Sequence, residues 1–165
     1  MSIATAPVWR HLVHTVIVVL VASVGYAVGQ QGPGPAPARR VIQPANYRPS
    51  PAPLVPAILV GDTLYMSGST AGDPVTGQLV PGGLEAEMTQ IMSNLTTVLT
   101  AAGMTVGDVV SVTAYLADMN DYGRFNELYR ASFPNGSYPT RSTVAVKDLA
   151  RGARIELTMT AVRSK

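Results

Sequence analysis

Two charged side chains stand where this chain has little else to do chemistry with: Arg141, at the entry of a β-branched run, and Glu156, inside a run of alternating apolar residues and threonines. Both histidines, His11 and His14, and the single Trp9 fall within the first fourteen of 165 residues, and there is no cysteine. Past that stretch the chain has no Ser/His/Asp triad, Cys nucleophile, imidazole base, zinc site of the usual kind or disulfide framework. A guanidinium offers a planar fork that meets a carboxylate at two points. The competing use of Arg141 is a salt bridge at a strand end. A carboxylate inside a strand is unfavourable unless it faces solvent or a partner. Period-two alternation puts Glu156, Thr158 and Thr160 on one face and Ile155, Leu157, Met159 and Ala161 on the other. The competing use of Glu156 is a solvated polar edge.

The charge balance is near neutral, 12 Lys+Arg against 10 Asp+Glu, with no basic cluster, so a nucleic-acid partner is not expected. The cluster Asp118, Asn120, Asp121 is not followed by a further acidic ligand at calcium-loop spacing and reads as helix capping. No metal site is expected. No G-x-G-x-x-G or phosphate-loop lysine motif occurs, so no nucleotide cofactor is indicated. The sequons at Asn94 and Asn135 read as chance, the first because it falls in a helix.

The elements that must position Arg141 and Glu156 follow from punctuation and periodicity. Residues 1–29 read as a signal peptide or an N-terminal membrane anchor. An apolar run over 12–28 follows Arg10, and Ala27 and Gly29 stand where a signal peptidase takes small residues. The domain is then exported, periplasmic or extracellular, with a membrane link only through that segment if it is not removed. Residues 30–56 are rich in Pro, Gly and Ala and read as an extended tether, with a possible edge strand at 39–43. The folded domain is placed at 57–165. Two β-prone runs around Gly61-Asp62 form a tight hairpin. Apolar positions at Leu84, Met88, Ile91, Leu95, Val98, Leu99 and Ala102 mark a helix, with Glu85 and Glu87 in its first turn and Gly103 as its C-terminal cap. Residues 108–116 form a strand. A second helix over 122–133 takes Asn120 as its N-cap and buries Phe125, Leu128, Tyr129 and Phe133. Strands follow at 142–146 and 155–162. The order gives an α+β domain, a mixed sheet with two helices packed on one face.

Five separated motifs in order, GDTLYMSG (61–68), AAGMTVGDVV (101–110), FNELY (125–129), PTRSTVAV (139–146) and RIELTMTAVR (154–163), resemble the RidA/YjgF family of enamine/imine deaminases. The resemblance covers residues from about 40 to the end. It implies a chorismate-mutase-like, RidA-type fold, a homotrimer, sites in clefts between subunits, and no cofactor. It also implies that Arg141 holds a substrate carboxylate, that Glu156 positions or activates water, and that Ser67, Asn126 and the backbone near Thr143 contribute to substrate binding. On their residue types alone, Ser67 before Gly68 satisfies turn hydrogen bonds and Asn126 caps a neighbouring loop. This chain departs from the family pattern at Pro53-Leu54, where many members have Pro-Tyr, and at Thr143, where many have Cys.

The implied reaction is hydrolysis of reactive 2-enamine or 2-imine acids to 2-keto acids and ammonia, with a small carboxylate as substrate. The alternative is an exported trimeric module that binds small carboxylates without turning them over. The export reading predicts a mature protein that begins near Gln30. Mass spectrometry of protein from the native cell envelope checks it: an N-terminus that still carries Trp9 selects the anchor.

Overall fold

The computed structural model describes residues 36–45, 47–133 and 136–164. The segment read as signal or anchor and the sequon at Asn135 lie outside the described residues. Among the described residues no helix is long and apolar enough to cross a membrane.

The compact unit is Pro37–Lys165. Its elements are β1 (Arg39–Ile42), β2 (Ala57–Val60), β3 (Thr63–Met66), α1 (Gly83–Ala101), β4 (Val109–Leu116), α2 (Tyr122–Ser132), β5 (Thr140–Ala145) and β6 (Ile155–Val162). The six strands form one sheet in the order β1-β2-β3-β6-β4-β5. Neighbours are antiparallel except β4 and β5, whose parallel pairing requires a crossover, and α2 supplies it. From Pro37 onward the Pro-rich stretch belongs to this unit, ahead of residue 57. The β-branched pair Val41-Ile42 lets β1 pair along β2 from Arg39↔Val60 to Ile42↔Ala57, and the Tyr47 hydroxyl donates to the Asn94 carbonyl at 2.8 Å.

The core lies between α1 and one face of the sheet. Leu84, Met88, Ile91, Leu95, Val98 and Leu99 are buried along α1, and Val112, Ala114, Leu116, Ile155, Leu157, Met159 and Ala161 are buried on the strands. Each large side chain buried here is worth about 1.5–3 kcal/mol. Helix α1 stops in a two-bond cap: Gly103, at φ 70°, donates to Thr100 O at 2.9 Å, and Met104 donates to Leu99 O at 2.9 Å. Asn94 is buried on α1 and its amide donates to Gly72 O, so this sequon side chain is committed to the fold.

Two first-turn readings are corrected. Glu85 is exposed and pairs with Arg124 at 2.9 Å, but Glu87 is buried. Its Oε2 accepts from the backbone N–H of Arg154 at 2.8 Å and of Ile155 at 3.4 Å, so it secures the start of β6. Asn120 does not cap α2. The Asp118 side chain accepts from Asn120 N–H and caps the short turn Met119–Asp121, while the Asp121 carboxylate takes the Arg154 fork at 2.6–3.0 Å. The guanidinium is the stronger partner for that carboxylate.

Asp108 fastens the far end of the sheet. Its carboxylate accepts from Thr105 N–H at 2.8 Å and from Ser164 N–H at 3.2 Å and Oγ at 2.9 Å, and these donors hold its pKa down to about 2. A depressed folded value means the stabilisation is complete above the ordinary carboxylate range and is lost as pH falls from about 4 toward 2. Asp108→Asn is expected to cost about 1 kcal/mol at neutral pH, as loss of a cap does. It is also expected to flatten the acid limb of a denaturation series.

Candidate active site

Arg141 is the second residue of β5 and pairs with Val112, whose side chain points into the core. Arg141 and Thr143 therefore face the helices. The guanidinium carbon lies 4.5 Å from the Tyr129 ring centre, 4.9 Å from Phe125 and 6.0 Å from Tyr122, so α2 builds an aromatic shelf under the charge. Its Nη2 donates to Asn126 Oδ1 at 2.6 Å. Tyr122, Phe125, Asn126 and Tyr129 follow a spacing of three and four along α2, which sets them on one face. Among the described residues Arg141 has no carboxylate partner. The charge is oriented by neutral groups, and its fork is free to meet an anion from outside. It opens on a cleft of about 370 Å³ lined by Asn126, Tyr129, Arg130, Tyr138, Pro139 and Arg141.

Burial shapes the rest of this half-site. The Tyr129 hydroxyl and Thr143 Oγ1 are both buried without a hydrogen-bond partner among the described residues. Loss of solvation raises the Tyr129 pKa to about 12 against the opposing pull of Arg141, so the ring stays neutral at any ordinary pH.

Glu156 is placed differently. It pairs with Tyr115 on β4, one position out of phase with the buried Leu157, and so points to the sheet face that the helices leave open. Its carboxylate lies against Gly68, where any side chain would collide with it. Ser67, one residue earlier, donates through Oγ to Val55 O at 2.6 Å and through its N–H to Pro56 O at 2.9 Å. That hydroxyl holds the segment around Leu54, whose side chain is 53% exposed, against the end of β3.

The five residues singled out from the sequence thus fall into two groups. Arg141, Asn126 and Thr143 come together on the helix face; Glu156 and Ser67 do not join them, with Glu156 on the opposite face. The sequence sets Phe125 and Tyr129 of the shelf on one face of the second helix but does not show that they lie under Arg141. The signal that could have found it is the Asn within an aromatic face, because a polar amide at that spacing needs a polar neighbour across the interface.

The open face carries apolar groups without cover in one chain: Val41 is 43% exposed, Tyr65 55%, Val144 44% and Val162 39%. Val41, Tyr65 and Val162 lie on β1, β3 and β6, and Val144 on β5 at the far edge of the sheet.

With this geometry in place, the comparisons are consistent with one another. The model of a family described as Endoribonuclease L-PSP matches residues 46–163. The chain is 42% identical over 125 residues to the 2-iminobutanoate/2-iminopropanoate deaminase of Mus musculus, covering 76% of this chain and 92% of that protein. Two solved structures share the fold. The yjgF gene product of E. coli aligns with a TM-score of 0.71 at 32% identity, over 76% of this chain and 99% of that one. E. coli TdcF with bound serine aligns with a TM-score of 0.70 at 30% identity, over 76% and 99%. The chain belongs to the RidA/YjgF family.

Because the Tyr129 hydroxyl has no partner among the described residues, Tyr129→Phe keeps the shelf and removes an unsatisfied buried group. Thermal unfolding is expected to be unchanged or raised, by up to about 1 kcal/mol. A clear loss of stability would show that the hydroxyl is used by something outside the chain.

Proposed function

We propose that this protein hydrolyses 2-imine and 2-enamine acids to 2-keto acids and ammonia, in clefts that a neighbouring copy completes within a homotrimer. The observation that carries the reading is Arg141, an oriented guanidinium that has no carboxylate partner among the described residues and opens on a cleft sized for a small acid. The relative in Mus musculus is named for such a reaction. The structure of TdcF contains serine, itself a small carboxylate.

Arg141 holds the substrate carboxylate at two points, and the Asn126 contact keeps the fork in plane. An imine carbon is already electrophilic, so what the protein must add is position and a proton acceptor. Glu156 orients water toward that carbon. The water oxygen forms the new bond, the C–N bond breaks, and nitrogen leaves as ammonia with the protons that the water gave up. In one chain Arg141 and Glu156 lie on opposite faces of a sheet, so they meet only when the open face of one copy approaches the helix side of another. The uncovered Val41, Tyr65, Val144 and Val162 support such packing. Thr143 lines the Arg141 side and Ser67 fixes the wall that carries Gly68. Leu54 makes part of that wall apolar. The N-terminal segment, read as an export signal, would put this chemistry outside the cytoplasm.

Binding without turnover gains nothing from the Mus musculus relative, whose name denotes a reaction. RNA cleavage, which the family description mentions, gains nothing from a near-neutral chain with 12 basic and 10 acidic residues.

Two substitutions separate the roles. Arg141→Lys keeps the charge but loses the planar fork, so transition-state binding is expected to weaken by about 1–3 kcal/mol. Glu156→Gln keeps size and reach but cannot take a proton, so turnover falls while a stable carboxylate analogue still binds. Ammonia release from an imine generated in situ and analogue titration on the same preparations test both. Wild type without hydrolysis above background would remove the enzyme reading.

A further inference from the structure

A second cleft, apart from the one that holds Arg141, lies between the segment 47–51, the loop 68–77 and the turn at Arg151. Its volume is about 390 Å³, and Tyr47, Arg48, Ser69, Gly72, Asp73 and Arg151 are among its lining residues. Its walls are fixed to a single residue of α1. The Asn94 carbonyl accepts from the Tyr47 hydroxyl at 2.8 Å, and the Asn94 side-chain amide donates to Gly72 O at 2.8 Å. Gln90 Nε2 donates to Asn94 Oδ1 at 2.8 Å and holds that amide in place. Arg48 N–H donates to Pro74 O at 3.2 Å, so the two walls are also joined across the cleft. Loops tied down in this way keep their shape when empty.

The charges in it are not matched. Among the described residues neither Arg48 nor Arg151 has a carboxylate partner. The one acid in the lining, Asp73, is consumed by its own turn: Oδ1 accepts from Val75 N–H at 3.0 Å, Thr76 N–H at 2.7 Å and Thr76 Oγ1 at 3.0 Å. Those donors lower its pKa, so it stays ionised, while burial raises that of Tyr47 to about 12 and leaves it neutral. Two guanidiniums against one carboxylate leave the lining residues themselves net positive.

Arg151 adds a conformational argument. It sits at φ 59°, ψ 19°, the only non-glycine with positive φ among the described residues. An L-residue held there is strained, and such strain collects at functional sites. The side chain returns little to the fold: it is exposed and its Nη2 donates to Thr70 Oγ1 at 2.8 Å. A Cβ at Gly72 would come within 3.2 Å of that Nη2, so glycine there lets the guanidinium lie over the loop. A left-handed position ordinarily taken by glycine is occupied by an arginine that lines an open cleft.

We propose that this cleft is a second ligand site, which binds the carboxylate or phosphate group of a small anion through Arg48 and Arg151. It does not depend on the imine chemistry, and it shares only the wall at Gly68 and Ser69 with the segment that faces Glu156.

The test is calorimetric titration of the full chain at low salt with inorganic phosphate and, separately, with succinate, both in the Arg141→Ala background so that the first cleft cannot answer. Saturable binding of either anion is expected, and the better of the two identifies the group. Arg151→Gly and Arg48→Gln should each weaken it about tenfold or more, as loss of a charge-assisted hydrogen bond does. Arg151→Gly relieves the positive φ, so its unfolding temperature should hold or rise, and lost binding is then not lost folding. Absence of saturable binding of both anions, or binding that neither substitution changes, overturns the proposal. Imine hydrolysis by otherwise wild-type Arg151→Gly reads out the first site separately.

Discussion

An arginine whose charge is oriented but not neutralised sets the terms for the rest of this molecule. A half-buried guanidinium ordinarily draws a carboxylate, and the pair then satisfies itself. Arg141 instead lies on the Phe125 and Tyr129 rings with one amide oxygen as its polar contact. That arrangement requires α2 to cross from β4 to β5 and lie on the same face as the Arg141 side chain, which the parallel β4–β5 pair and its crossover achieve. Three acids on or beside the helices are occupied elsewhere: Asp121 by Arg154, Glu127 by Arg124, Glu87 by backbone N–H groups.

The second constraint is the pleat. Side chains alternate along a strand, so register alone decides which face each residue serves. Arg141 shares the phase of Val112, and Glu156 that of Tyr115. Glu87, by fixing the N–H groups of Arg154 and Ile155, sets the start of β6 and with it the direction in which Glu156 points. A slip of one residue would bury the carboxylate in the core and turn Ile155, Leu157 and Met159 out to the open face. The same rigidity that places each residue well keeps the two apart within one chain.

What could be read from the sequence was what depends on local periodicity. The i, i+3, i+4 apolar spacing of α1, the glycine that ends it, the Gly61 hairpin and the alternation of β6 are properties of neighbouring residues, and each is present. The mixed sheet with helices on one face followed from the order of those elements. Three things were not legible, each of them involving a partner far along the chain. Glu87 looked like a first-turn acid because its partners lie 67 and 68 residues away in the chain. Asn120 looked like a cap although Asp118, two residues earlier, takes its N–H, and the Arg154 fork that occupies Asp121 lies 33 residues further on. Arg141 and Glu156 looked like one site because nothing in a sequence gives the register between distant strands; only the pairing of β5 and β6 on β4 shows that they face apart.

The claim at the centre of this account is that Arg141 of one copy works with Glu156 of another. Mixing Arg141→Ala and Glu156→Gln chains, each inactive alone, under conditions where subunits exchange measures it directly. If the two residues act across an interface, random hybrids carry both intact residues in about one quarter of their clefts, and ammonia release should recover to about that share of wild type. If activity in the mixture stays at the level of the separate variants while exchange is shown by mass, the two residues do not complete a site between copies.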